Sequence, residues 1–243
     1  MTAIQTTQLT KKYKEKIVVK SLDLAIEQGE LFALLGVNGA GKSTTIKMLS
    51  CLTKPSQGEA VILGHSVITH PHKVKRLINV SPQETAIAPN LTVRENLHLI
   101  AGIYGSDKVQ AEKKANETIE AFGLHEIAED KARTLSGGWQ RRLSIAMARI
   151  SEPQILFLDE PTLGLDVLAR RELWTLIQRL KGKVTMILTT HYLEEAEALS
   201  DRIGIMAKGE LRAVGTAGEL LAKTHTAKFE EAFIALAGEG GAA

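Results

Sequence analysis

The sequence predicts an α/β fold on a mostly parallel sheet, with antiparallel strands at the N-terminal end and a helical lobe inserted partway along. Three observations carry this. Apolar runs of strand length recur at Leu31 to Leu35, Ile155 to Leu158 and Val184 to Thr189. Segments of helical periodicity lie between them, the alternation from which parallel sheets are built. A Gly-rich loop, Gly36-Val37-Asn38-Gly39-Ala40-Gly41-Lys42-Ser43, joins the first run to a helix.

In order, Ile4 to Leu9 alternates as a strand, and Leu22, Leu24 and Ile26 follow at period two before a turn at Gln28-Gly29. After the loop, Lys42 to Leu52 reads as a helix, Pro55-Ser56-Gln57-Gly58 as a turn, Ala60 to Leu63 as a strand ended by Gly64, and Leu77 to Val80 as another strand. The texture turns helical from Glu84 to Pro153. There Thr92 and Glu95 form a capping box, and Val93, Leu97, Ile100, Ala101 and Tyr104 keep helical spacing. Leu173, Leu176, Ile177 and Leu180 share one helical face between the later strands. Arg202 to Ala207 and Glu210 to Val214 read as a hairpin about Lys208-Gly209, and Thr216 with Glu219 caps a closing helix. A single domain is expected, with a core lobe at about 1–84 and 154–215, a helical lobe at about 85–153 and a helical tail at about 216–243.

Composition narrows the function. A chain of 243 residues, 44% hydrophobic and 24% charged, can bury a sizeable core unaided. A net charge of +2 points to no polyanion, and the spaced lysines from Lys11 to Lys20 read as a solvated face, so nucleic acid is not an expected partner. The single Cys51 excludes an internal disulfide framework and a cysteine-built metal cluster. No signal pattern opens the chain, and no apolar run approaches the ~18 residues of a membrane helix. Work at a membrane would need other chains to span it.

The glycine loop matches the phosphate-cradling pattern G-x-x-x-x-G-K-[ST] at every fixed position. Its backbone N–H groups and the following helix dipole converge on one spot, where Lys42 would meet the β and γ phosphates of ATP and Ser43 the magnesium ion. Ile155-Leu156-Phe157-Leu158-Asp159-Glu160 is an apolar strand ending in two carboxylates, at the strand end where open α/β sheets place ligands. Asp159 would order the Mg2+ shell and Glu160 hold the attacking water, although side chains at successive strand positions point apart unless the strand bends. Ser136 is placed to cap the helix of Leu143 to Ile150. The adjacent Gly137 and Gly138 cost helix stability unless a ligand approaches the backbone closely.

With its Leu135-Ser136-Gly137-Gly138 signature between the phosphate loop and Asp159-Glu160, the chain resembles the nucleotide-binding subunits of ATP-binding-cassette (ABC) transporters over nearly its whole length. The resemblance implies a P-loop NTPase core and cofactors ATP and Mg2+. It implies contacts to ATP from Tyr13, which stacks on adenine, and from Gly36, Asn38, Gly39, Ala40, Gly41, Lys42, Ser43, Thr44 and the hinge glutamine Gln83. Glu160, His191 and Lys42 are the implied catalytic residues, and Ser43, Gln83 and Asp159 the implied metal site. Leu165-Asp166 would cross a dimer interface, and Ser136, Gly137 and Gly138 would complete the site of a second subunit facing head to tail, so a homodimer is expected. Trp139 and Val167 depart from the Gln and Pro common in the family, at positions that supply no phosphate ligand; Trp139 is read either as signature surface or as core packing.

Function then follows as the ATP-hydrolysing subunit of a transporter, seated on the cytoplasmic face of the membrane through integral permease subunits. A groove near Gln83 and Ala86 to Leu97, with Ile87, Pro89 and Leu91 exposed, would take a permease helix, although these three residues also suit the lobe core. The compact length and the ending Lys228 to Leu236 resemble the drug, antibiotic and sodium exporter branch, with Phe229, Phe233 and Leu236 on one face that could equally pack on their own domain. Two other readings are weighed. A soluble ABC-type ATPase acting on ribosome or DNA usually carries a second cassette or a long coiled-coil insertion, and neither is seen. A small-molecule kinase would explain Lys42 but not Leu135 to Gly138 or His191.

Overall fold

The computed structural model describes residues 1–238; residues 239–243, where the expected tail ends, lie outside the described residues. The chain opens with long antiparallel strands, β1 (Thr2–Tyr13) and β2 (Lys16–Glu27), in which Leu22, Leu24 and Ile26 face inward at period two. β3 (Leu31–Leu35) is buried at all five positions. Its alternate residues serve two cores: Leu31, Ala33 and Leu35 pack with the helices, while Phe32 and Leu34 pack with β1 and β2. A strand that is apolar at every position follows from burial on both faces.

α1 (Lys42–Leu49) is three residues shorter than expected, because the chain turns left-handed at Cys51 (φ 57°) and Lys47 O accepts from the N–H groups of Leu52 and Thr53. β4 (Gln57–Ile62) begins inside the expected turn. Gly58, at φ 75°, sits where β1 shifts register between Thr7 and Thr10, and a Cβ there would lie 2.2 Å from Gln8 O, so the glycine carries a bulge in place of a turn. β5 (His65–Ser66) and α2 (Pro71–Leu77) precede β6 (Ile78–Ser81).

α3 (Val93–Ile103), capped by the Thr92–Glu95 box, α4 (Lys108–Phe122) and α5 (Gly137–Arg149) form the helical stretch. The chain then alternates β7 (Ile155–Asp159), α6 (Val167–Leu180), β8 (Thr185–Thr190), α7 (Leu193–Leu199) and β9 (Arg202–Ala207), and returns through β10 (Glu210–Gly215) to α8 (Ala217–Thr224) and α9 (Phe229–Gly238). One sheet has six strands in the order β10-β9-β3-β8-β7-β6, parallel apart from β10; the other has four antiparallel strands, β2-β1-β4-β5. Phe229 and Leu236 are buried in the helical core with Phe233 against them, so α9 packs on its own chain. Each fully buried side chain of this size contributes about 1.5–3 kcal/mol.

Candidate functional site

At the carboxyl ends of the parallel strands the chain leaves β3 into Gly36, whose N–H donates to Thr190 O at 3.2 Å. A Cβ on Gly36 would lie 2.3 Å from Met206 O, and one on Gly41, at φ 108°, 2.7 Å from Val18 O. Only glycine fits either place. The β9–β10 turn seals the loop from behind: Gly209 N–H donates to Ala40 O at 3.1 Å and Gly209 O accepts from Lys20 N–H at 2.8 Å.

The loop lines a cavity of about 330 Å³ together with Val18, Gln83, Glu160, Leu163 and His191; its own contribution is Asn38, Gly39, Ala40, Gly41, Lys42, Ser43 and Thr44. Lys42 is 5% exposed, and its Nζ donates to Gly36 O at 2.7 Å and Val37 O at 3.3 Å while lying 3.1 Å from Glu160 Oε1. Glu160 Oε2 is 2.7 Å from His191 Nδ1, so Lys42, Glu160 and His191 form one chain of polar contacts. The strand does bend. Glu160 adopts φ 49°, with its N–H donating to Thr189 O and Oγ1, both at 3.1 Å. Asp159 and Glu160 therefore address the same site, Asp159 Oδ1 accepting from Ser43 Oγ at 3.0 Å and from Thr189 Oγ1 at 2.5 Å.

Other expected residues lie elsewhere. Tyr13 ends β1, is 45% exposed with Lys11 Nζ 4.9 Å from its ring centroid, and does not line the cavity; Val18 supplies wall there. Ser136 caps α5 by accepting from Trp139 N–H at 3.5 Å, and with Gly138 it lines a separate recess of about 50 Å³. The two glycines differ. A Cβ on Gly138 would press to 3.0 Å from Ala169 Cβ of α6, whereas one on Gly137 would meet only Leu165 Cδ2 at 3.9 Å, leaving its backbone open to approach. Trp139 packs against the helical core with the Arg142 guanidinium 4.3 Å from its ring centroid. Asp166 caps α6, accepting from the N–H groups of Leu168 and Ala169.

Beside Gln83 a shallow groove of about 150 Å³ is lined by Asn79, Val80, Pro82, Ala86, Ile100 and Tyr104 among others. The exposed apolar surface nearby differs from the expected set. Pro89 is exposed as expected, but Ile87 and Leu91 are half-buried, Ile87 against the core, while Leu99, Ile103, Tyr104 and Val109 are exposed because α3 and α4 turn only one face inward.

Sequence reasoning passed over Thr189, which fixes both acids, and two buried ionisable groups. Glu195 is fully buried and accepts from Thr162 Oγ1 at 2.8 Å and Trp174 Nε1 at 3.0 Å; burial pushes its pKa up, with the nearby Glu160 charge adding. Arg141 donates to the carbonyls of Pro82 and Gln83, and burial draws its pKa below the usual arginine value against the pull of Asp159 and Glu195. Neither carried a signal in the sequence, where Arg141 stands beside Arg142 and Glu195 beside Glu194.

Residues 19–163 match the family model described as "ABC transporter". The linearmycin resistance ATP-binding protein of Bacillus subtilis is 41% identical over 221 residues, covering 90% of this chain and 71% of that protein. Among solved structures, an ATP-binding subunit of an ABC transporter superposes with TM-score 0.85 at 30% identity, covering 96% of this chain and 99% of that one. A dimeric ATP-binding cassette in a post-hydrolysis state with ADP and phosphate gives TM-score 0.78 at 28% identity over 88% and 98%. No helix among the described residues is long and apolar enough to cross a membrane. The chain belongs to the ABC transporter family, as an ATP-binding and ATP-hydrolysing subunit.

Proposed function

We propose that ATP hydrolysis by this chain drives export of a compound through separately encoded membrane subunits, with two copies closing over two nucleotides. The observation that carries this is the division of parts. Lys42, Glu160 and His191 meet in one cavity, while the helix start at Ser136, Gly137 and Gly138, open at Gly137, lies on another surface.

In this reading the loop N–H groups and Lys42 hold the β and γ phosphates, Tyr13 stacks on the adenine, and His191 touches the γ phosphate. Glu160 accepts a proton from water as the water oxygen bonds to the γ phosphorus and the bond to the bridging oxygen breaks, giving ADP and phosphate. Ser43 Oγ and Asp159 Oδ1, already hydrogen-bonded, are an all-oxygen pair of the kind Mg2+ takes. With Gln83 they would hold that ion, which offsets phosphate charge. Ser136, Gly137 and Gly138 close over the nucleotide of the second copy.

The same reading divides the chain into a core lobe (about 1–84 and 154–215), a helical lobe (about 85–153) and the closing tail, with the groove at Pro82, Ala86 and Tyr104 receiving a permease helix at the cytoplasmic membrane face. The resistance function in the name of the Bacillus subtilis relative supports export.

Glu160→Gln is the test. It should slow hydrolysis by roughly 10²- to 10⁴-fold while ATP still binds and a dimer accumulates in size-exclusion chromatography. Undiminished turnover would sink the assignment of Glu160. Co-purification tests the membrane half: a stoichiometric multi-spanning partner is expected, and nuclease-sensitive association with ribosomes or DNA overturns it.

A further inference from the structure

α5 starts at Ser136 and the open backbone of Gly137 and carries, in its second turn, a guanidinium almost wholly withdrawn from water: Arg141 is 5% exposed. Its Nη1 donates to Pro82 O at 2.6 Å and its Nη2 to Gln83 O. Asp159 and Glu195 act on it through space. Farther along the helix, buried Ser144 Oγ lies 3.0 Å from Ser81 Oγ, and just beyond its end Ser151 Oγ accepts from Asn79 Nδ2 at 3.0 Å. The segment from Asn79 to Gln83 is thus tied at three levels to α5 and the residues that follow it. The fork of Arg141 holds the last level, where the chain leaves the sheet and Gln83 enters the cavity.

Stability does not explain this arginine. A buried guanidinium bears a desolvation cost that an apolar side chain of similar volume avoids. The planar fork does something an apolar residue or a lysine cannot: it fixes two successive carbonyls in both position and direction. A displacement of the α5 start is passed through a rigid helix to the backbone of Gln83.

We propose that Arg141 is a positioning residue that transmits the position of the Ser136-Gly137-Gly138 end of α5 to Gln83, so that nucleotide held at one site of the dimer sets the geometry of the other. This rests on the reading in which those glycines face the second copy's nucleotide and Gln83 faces the chain's own.

The test measures hydrolysis against ATP concentration for the full chain, with ATP affinity measured separately by equilibrium dialysis. The native chain should show a Hill coefficient of about 2, and Arg141→Met one of about 1. In Arg141→Met, kcat should fall roughly 2- to 30-fold with ATP affinity little changed. Arg141→Lys, which keeps the charge but not the fork, should fall between them, and it carries the test if Arg141→Met does not fold. Arg141→Met combined with Gln83→Ala should be no slower than the worse single variant, because both act through one element. A native chain that is cooperative, with folded Arg141 variants equally so, overturns this inference alone; so does a double variant whose defect equals the product of the singles. A native chain that hydrolyses ATP with a Hill coefficient of 1 overturns the paired-site reading beneath it.

Discussion

Glu160 occupies a left-handed conformation at φ 49°, which costs a non-glycine residue about 1–2 kcal/mol. The two hydrogen bonds that its N–H donates to Thr189 hold it there, and the return is that Glu160 lines the cavity while its neighbour Asp159 holds Ser43 in the cavity wall. No local signal announces this, because strand alternation by itself sends Asp159 and Glu160 to opposite faces. Glu195 poses a different problem at the same scale. Burial favours its neutral form, so the folded chain keeps its proton to a higher pH than the unfolded chain does. Below the ordinary carboxylate pKa both states are protonated and nothing is lost. As pH rises from there through the raised folded value, the unfolded chain ionises first and stability falls. Glu195→Gln keeps an oxygen for Thr162 and Trp174 and removes this slope. In urea unfolding it should gain on the native chain as pH rises above the ordinary carboxylate range, and a difference that does not vary with pH would refute the account.

Among the elements, the phosphate loop is the most tightly determined. Gly36→Ala puts a methyl group 2.3 Å from Met206 O, a backbone atom that cannot step aside alone. The variant should lose about 1–3 kcal/mol of stability, measured by denaturant unfolding, and hydrolysis should fall about 100-fold as Lys42 and Ser43 are displaced. A fully active Gly36→Ala would show the loop to be loose. This element was legible because its chemistry is local: the glycines, Lys42 and Ser43 are adjacent in sequence. The capping boxes at Thr92 and Thr216 and the turn at Lys208-Gly209 were legible for the same reason. Others were not. α2 buries only Val74 and so carries no amphipathic pattern, and Gly58 resembles a turn residue until its strand partner Gln8 is in place. The grip of Arg141 on Pro82 and Gln83 spans nearly sixty positions, beyond any pattern of spacing.

For the molecule as a whole, the open helix start at Gly137 and the N-terminus of α6 are neighbours, and α6 leaves Val167 63% and Leu168 75% exposed. On the proposed pairing, the second copy covers these apolar side chains. Leu168→Glu adds a carboxylate to the first turn of a helix, where the dipole favours it, so the lone subunit should be no less stable. ATP-driven pairing in the Glu160→Gln background should weaken about tenfold, measured by analytical ultracentrifugation; unchanged pairing would place the interface elsewhere.

The turn at Gly209 bears on how the chain is made. Gly36 to Ser43 emerges early in synthesis, yet the loop takes its backing from Gly209, and Met206 O stands over Gly36, both more than 160 residues later. Until that hairpin arrives, a nascent chain owns the motif without the grip. A chain cut before Met206 and Gly209 lacks the atoms that back the loop, so truncation there should abolish ATP binding even with Gly36 to Ser43 intact.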